Sequence, residues 1–75
     1  MLVAGCLIQT LPGRALPVAK RMSATPEIKI QGTDGKSRIA MVWSGESATA
    51  FERFARVLLH TDSDVLGVFP TFSAG

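Results

Sequence analysis

The chain contains no tyrosine, one cysteine (Cys6) and one histidine (His60). A single cysteine cannot form an intramolecular disulfide, which excludes a secreted disulfide scaffold and fits a reducing, cytoplasmic compartment. One cysteine and one histidine cannot supply the four ligands of a structural zinc site, and Cys6 has no Cys-x-x-Cys neighbour. We therefore expect no metal ion and no cofactor.

Clustered positive charge and long apolar runs are also scarce. The formal net charge is only +2, and no cluster of Lys and Arg is longer than Lys20-Arg21. Nucleic-acid-binding domains usually concentrate basic residues on one face beside stacking aromatics. No apolar run approaches the roughly 18 residues that a membrane-spanning helix needs. We expect neither a nucleic-acid partner nor membrane insertion.

What remains is a small globular chain of 75 residues, 47% hydrophobic and 19% charged. This length allows a single domain, spanning residues 1–75, and excludes doubly wound dinucleotide folds and TIM barrels. The composition is that of a folded chain, since disordered chains are poorer in apolar residues and richer in charge. A domain of this size is more often a binding module than a complete enzyme.

Four segments have the pattern of β-strands. Residues 2–10 are almost wholly apolar, as in a central strand. Residues 27–31 alternate polar and apolar, and residues 36–43 return from a turn at Gly32-Thr33-Asp34-Gly35. Residues 65–69 form the last strand. Pro70 indicates either that this strand lies at an edge of the sheet or that it ends there. We expect residues 73–75 to be a frayed tail.

Two segments have the period of amphipathic helices. The first covers residues 13–24 and should begin two or three residues before Pro17, because proline is tolerated only in the first turn. Thr25-Pro26 ends it. The second helix is indicated by the spacing from Phe51 to Leu59, with Ser44 or Ser47 as its N-cap.

The element order strand, helix, strand, strand, helix, strand predicts a ferredoxin-like βαββαβ fold of the α+β class. Both crossovers should be right-handed, which places two helices on one face of a four-stranded antiparallel sheet. The opposite surface of the sheet, here called the open face, is then left without a covering layer.

The alternation of side chains along the strands predicts which residues form the open face. Buried apolar residues should point at the helices, and the intervening residues outward. An apolar platform with polar flanks is suited to binding a peptide, although self-association of the same face is the alternative. The predicted peptide-binding residues are Gly5, Leu7, Gln9, Lys29, Gln31, Arg38, Ala40 and Val42.

No group of residues predicts catalysis. His60 lies near Ser63 and two aspartates, but these crowd one turn and do not have the convergence of a catalytic triad. Leu2-Val3-Ala4-Gly5-Cys6 is similar to a lipoprotein cleavage box, yet no basic leader and no apolar stretch of about 7–15 residues precedes it. We expect Cys6 to be a buried, unreactive strand residue and the protein not to be an enzyme.

Three segments of the chain resemble those of one known family. The first is Val3-Ala4-Gly5-Cys6-Leu7-Ile8-Gln9, followed by a proline, which is similar to the family's opening strand. The second, similar to its central hairpin, is Glu27-Ile28-x-x-x-Gly32-x-Asp34-Gly35-Lys36-x-Arg38-Ile39-Ala40-Met41-Val42, and the third, similar to its final strand, is Val65-Leu66-Gly67-Val68. The family is that of the NapD-type chaperones, and the resemblance covers nearly the whole chain, in the right element order.

This resemblance implies a ferredoxin-like cytoplasmic chaperone. Its partner would be the twin-arginine signal peptide of a molybdoenzyme, the catalytic subunit of periplasmic nitrate reductase. The chaperone would hold that peptide on the open face and restrain export until the molybdenum cofactor is inserted into the client. It would have no catalytic residues and no cofactor of its own. The alternatives are a small-molecule regulatory module of the ACT type, with a site near Leu11-Pro12-Gly13, and a structural subunit of a larger complex.

Overall fold

The computed structural model describes residues 1–74, and these form four strands and two helices. The elements are β1 (Leu2–Thr10), α1 (Ala15–Met22), β2 (Ile28–Thr33), β3 (Arg38–Gly45), α2 (Ala48–Thr61) and β4 (Val65–Ala74). The strands make one sheet in the order β2-β3-β1-β4, with every neighbouring pair antiparallel. This arrangement confirms the predicted ferredoxin-like α+β fold.

Alternate residues of the two central strands form the floor of the core. On β1 the buried side chains are Ala4, Cys6, Ile8 and Thr10, and on β3 they are Ile39, Met41 and Trp43. Helix α1 buries Ala15, Val18 and Met22 against them. Helix α2 adds Phe51 and Phe54, whose rings lie 5.4 and 6.1 Å from that of Trp43. Trp43 is thus a core residue that joins α2 to the sheet.

The ends of both helices follow local chemistry. α1 begins at Ala15, two residues before Pro17, so the proline lies in the first turn as predicted. It ends at Met22, two residues earlier than expected, in turns where Ser23 and Ala24 donate backbone hydrogen bonds to Ala19 and Arg21. At the start of α2, the Ser47 hydroxyl oxygen accepts a bond of 3.2 Å from the amide of Ala50. Ser47, not Ser44, is therefore the N-cap.

An ion-pair network joins α1 to the loop before β4. The Arg21 guanidinium donates hydrogen bonds of 2.9 Å to Asp62 and 3.0 Å to Asp64. Arg14 lies 3.6 Å from the same Asp64 carboxylate. The hydrogen bond that Arg21 donates to Asp62, followed by the one that it donates to Asp64, raises the pKa of Arg21.

Strand β4 is twice as long as the sequence predicts. It continues through Pro70 to Ala74, so Ser73 and Ala74 are strand residues rather than a frayed tail, while Gly75 lies outside the described residues. Pro70 is tolerated because β4 is an edge strand and because the pairing skips Thr71 there, in a β-bulge opposite Gly5 and Cys6. Strands β2 and β3 likewise extend to Thr33 and Gly45.

Candidate functional site

The open face is built from rows of side chains that run across the four strands. One row holds Lys29, Val42, Gly5 and Phe72, in the order β2, β3, β1, β4. The next row holds Gly32, Ala40, Leu7 and Phe69. A third row holds Arg38, Gln9 and Gly67. Seven of the eight sequence-predicted residues therefore lie in these rows, and the eighth, Gln31, lies at a break in the register of β2.

Gln31 leaves the row because of a β-bulge in β2. Ile30 pairs with Met41, but Ala40 pairs with Gly32, so the register skips Gln31. The open-face position that the sequence assigns to Gln31 belongs to Gly32. Gln31 is exposed and lies in the bulge, next to the row position that Gly32 occupies.

The aromatic ring of Phe72 covers Gly5. A Cβ atom added to Gly5 would come within 2.9 Å of three ring carbons of Phe72, so the ring occupies the space above the glycine backbone. Gly5 is buried as a result. Gly5 is one of the predicted peptide-binding residues, but the surface presented at its position is the phenyl ring of Phe72.

Phe69 repeats this arrangement one row further along. Its ring lies over Gly67, where an added Cβ would be 2.7 Å from two ring carbons. Phe69 and Phe72 are 55% and 56% exposed as whole residues, and Leu7, which pairs with Phe69, is half-buried. Two phenyl rings and one leucine thus form a nearly continuous apolar strip along β1 and β4.

Phe69 and Phe72 are not among the residues that the sequence predicts for this surface. A last strand that ends at Pro70 leaves Phe72 outside the sheet, and no pattern in residues 65–69 places Phe69 outward. The strand glycines could have predicted the positions of the two rings. Aromatic side chains often cover a glycine in a neighbouring strand position, and Gly5 and Gly67 are the strand glycines that the two rings cover.

The charges of the open face lie on its β2–β3 side. Lys29 and Arg38 are both exposed, while the paired residues of β1 and β4 are uncharged. Asp34, in the hairpin turn near Arg38, accepts backbone hydrogen bonds from Lys36, Ser37 and Arg38 at 2.8–3.0 Å. The bond from Lys36, and then that from Arg38, lowers the pKa of Asp34. Its carboxylate is therefore held ionised by the turn that it stabilises.

Cys6, Asp62 and His60, which the sequence analysis considered for reactivity or catalysis, lie away from the open face. Burial raises the pKa of the Cys6 thiol to about 11, which leaves it protonated near neutral pH. The Asp62 carboxylate accepts hydrogen bonds from Arg21, and His60 is exposed in the last turn of α2. Within residues 1–74, no group of three or more His, Cys, Asp and Glu side chains is placed to bind a metal ion.

The loop after β1 offers few free donors for a small zwitterion. The amide of Leu11 donates to Asp64, that of Gly13 to Lys36 and that of Arg14 to Leu11. A ligand of the ACT type would have to displace these bonds. The geometry therefore gives the regulatory-module alternative no specific support.

Comparisons with known proteins add no neighbour to this description. A scan against protein-family models and searches of curated proteins and of solved structures each find no match. Among the helices of residues 1–74, none has both the length and the apolarity that crossing a bilayer requires.

Proposed function

We propose that this protein is a cytoplasmic chaperone that binds the twin-arginine signal peptide of a molybdoenzyme on its open face. The observation that carries the proposal is the apolar strip formed by Leu7, Phe69 and Phe72, with both rings more than half exposed. Exposed apolar patches of this kind mark interaction sites. The resemblance of the sequence to NapD-type chaperones supplies the identity of the partner.

The length of strand β1, along which the strip lies, suits such a peptide. The apolar core of a signal peptide has about 7–15 residues, and as a helix it would be about 10–23 Å long. Strand β1 has nine residues, which at about 3.4 Å each span about 30 Å. A helical core therefore fits along β1 with its apolar side on the strip.

The proposed action is sequestration, with no chemical step. A peptide that covers both half-exposed phenylalanines would bury about as much apolar surface as one whole side chain. This burial would contribute about 1.5–3 kcal/mol to the free energy of binding. While bound, the signal peptide is withheld from the export machinery by mass action. Release after cofactor insertion would let export proceed.

The test is a titration of a synthetic twin-arginine signal peptide into isotope-labelled protein, followed by nuclear magnetic resonance. We expect shifts at Leu7, Ala40, Val42, Phe69 and Phe72, and none at helix residues such as Arg53, which is the internal control. If the open-face resonances stay fixed at high peptide concentration, the proposed site is wrong.

Self-association is the competing use of the same surface. The exposed rings of Phe69 and Phe72 would favour it as they favour peptide binding. Sedimentation of the free protein over a range of concentrations separates the two. A dimer that is abolished by Phe72→Ala and does not dissociate with peptide would favour self-association over the chaperone role.

A further inference from the structure

The charged residues of the open face are unevenly distributed between its two halves. Strands β1 and β4 contain no charged residue between Leu2 and Thr10 or between Val65 and Ala74. On the same face, in the half of the sheet formed by β2 and β3, Lys29 of β2 and Arg38 of β3 occupy open-face positions. A peptide lying on β1 therefore has phenyl rings along one flank and two cations along the other.

These two cations are available to a partner. The ion pairs of residues 1–74 join Arg14 and Arg21 to Asp62 and Asp64, and neither Lys29 nor Arg38 takes part. The charge of Arg38 is partly offset by Asp34, whose pKa it helps to lower. Glu27 precedes β2 by one residue but forms no ion pair with Lys29. Lys29 is thus the less compensated of the two.

The spacing of the sheet places both flanks within reach of a single helix. Neighbouring strands are about 4.8 Å apart, so β2 and β4 are about 14 Å apart, close to the diameter of a helix with its side chains. Lys29 lies opposite Val42, which is four residues from Arg38 and hence about 14 Å away along β3. Helix positions seven or eleven residues apart, about 10 or 16 Å, share one face and bracket that distance.

We propose that Lys29 and Arg38 select the charge of the bound peptide, favouring an apolar helix with carboxylates on one flank and rejecting one with basic residues there. This inference rests on the proposed function and names the partner's chemistry at the same site. For a twin-arginine signal peptide it means that the arginine pair lies beyond the end of the strip. Only the uncharged core then lies between the rings and the two cations.

The test uses two synthetic helical peptides with the same leucine and alanine face. One carries glutamate, the other lysine, at two flank positions seven residues apart, with glutamine at the remaining polar positions. Affinities are measured by fluorescence anisotropy at low and at high salt. Because the glutamate peptide gains two exposed ion pairs where the lysine peptide meets two like charges, we expect the glutamate peptide to bind about tenfold more tightly.

The variant Lys29→Glu/Arg38→Glu should reverse this preference, and high salt should abolish it in both proteins. The matched control is Lys20→Glu/Arg53→Glu, two helix residues away from the open face, which should leave the preference unchanged. Equal binding of both peptides, combined with loss of binding in Phe72→Ala, would overturn charge selection and leave the peptide site intact. If neither peptide binds, charge selection of an apolar helix fails, and the titration with the twin-arginine signal peptide tests the chaperone role separately.

Discussion

The contact between Phe72 and Gly5 can be measured on the free protein with a double-mutant cycle. In Gly5→Ala the new Cβ would come within 2.9 Å of three carbons of the Phe72 ring, so the ring must move off the strand. Phe72 is 56% exposed, and full burial of a phenylalanine contributes about 1.5–3 kcal/mol. Truncation in Phe72→Ala should therefore lower the free energy of unfolding by about 1 kcal/mol.

The effect of Gly5→Ala should depend on whether the ring is present. Replacing a strand glycine by alanine stabilises by about 0.5–1 kcal/mol, because the unfolded chain has less freedom to lose. In the wild-type background this gain is offset by the displaced ring, and we expect no net gain or a loss of up to about 1 kcal/mol. In the Phe72→Ala background, Gly5→Ala should stabilise, which gives a coupling energy of about 1 kcal/mol.

Urea denaturation followed by the fluorescence of Trp43, the single tryptophan and only 4% exposed, gives all four free energies. The matched control pairs Gly5→Ala with Phe69→Ala, because the Phe69 ring covers Gly67 instead. That pair should show little coupling. If Gly5→Ala has the same effect with and without Phe72, the ring does not lie on Gly5 and the apolar strip is wrongly described.

Three further predictions concern the scaffold. Ser47→Ala should lower the free energy of unfolding by about 1 kcal/mol through loss of the α2 cap, while Ser44→Ala, which removes no cap, should have a smaller effect in the same urea titration. Cys6, with its pKa raised to about 11, should resist alkylation at pH 8 in the native protein and react in urea; rapid native labelling would contradict its burial. The lowered pKa of Asp34 means that its contribution to stability is present above the ordinary value of 3.8 and is lost as pH falls through the lower folded-state value. Asp34→Asn should accordingly flatten the acid side of the stability profile, and an unchanged profile would refute the role of the turn.

The parts of the fold that the sequence predicts are those set by local patterns. The position of Pro17 determines where α1 can begin, and the turn at Asp34 and Gly35 determines the hairpin between β2 and β3. The polar residue Gln9 was enough to assign the two faces of an otherwise apolar β1. Because side chains alternate strictly along a strand, one reliable residue orients the rest.

The parts that were missed depend on pairing between distant segments. Whether a strand continues past Pro70 depends on β1 lying beside it, with a bulge that absorbs Thr71, and no pattern within residues 65–74 specifies that. The bulge at Gln31 cannot be predicted from the sequence for a similar reason. The residues that follow it in β2, Gly32 and Thr33, are not apolar, so the alternation does not fix their register. Both errors altered the candidate site, by omitting Phe72 and by misplacing Gln31.

The glycines beneath the rings also bear on how the open face could discriminate among partners. Each ring rests with one side on the backbone of Gly5 or Gly67, which hides part of its apolar surface in the free protein. What remains outward is a strip of two rings and a leucine, and such a strip distinguishes poorly between leucine, isoleucine and phenylalanine in a partner. On such a surface, charged side chains discriminate between partners, because they attract residues of opposite charge and repel residues of like charge. Lys29 and Arg38 are the residues of the open face that supply it, so exchanging their charge should alter partner choice more than any apolar substitution in the strip.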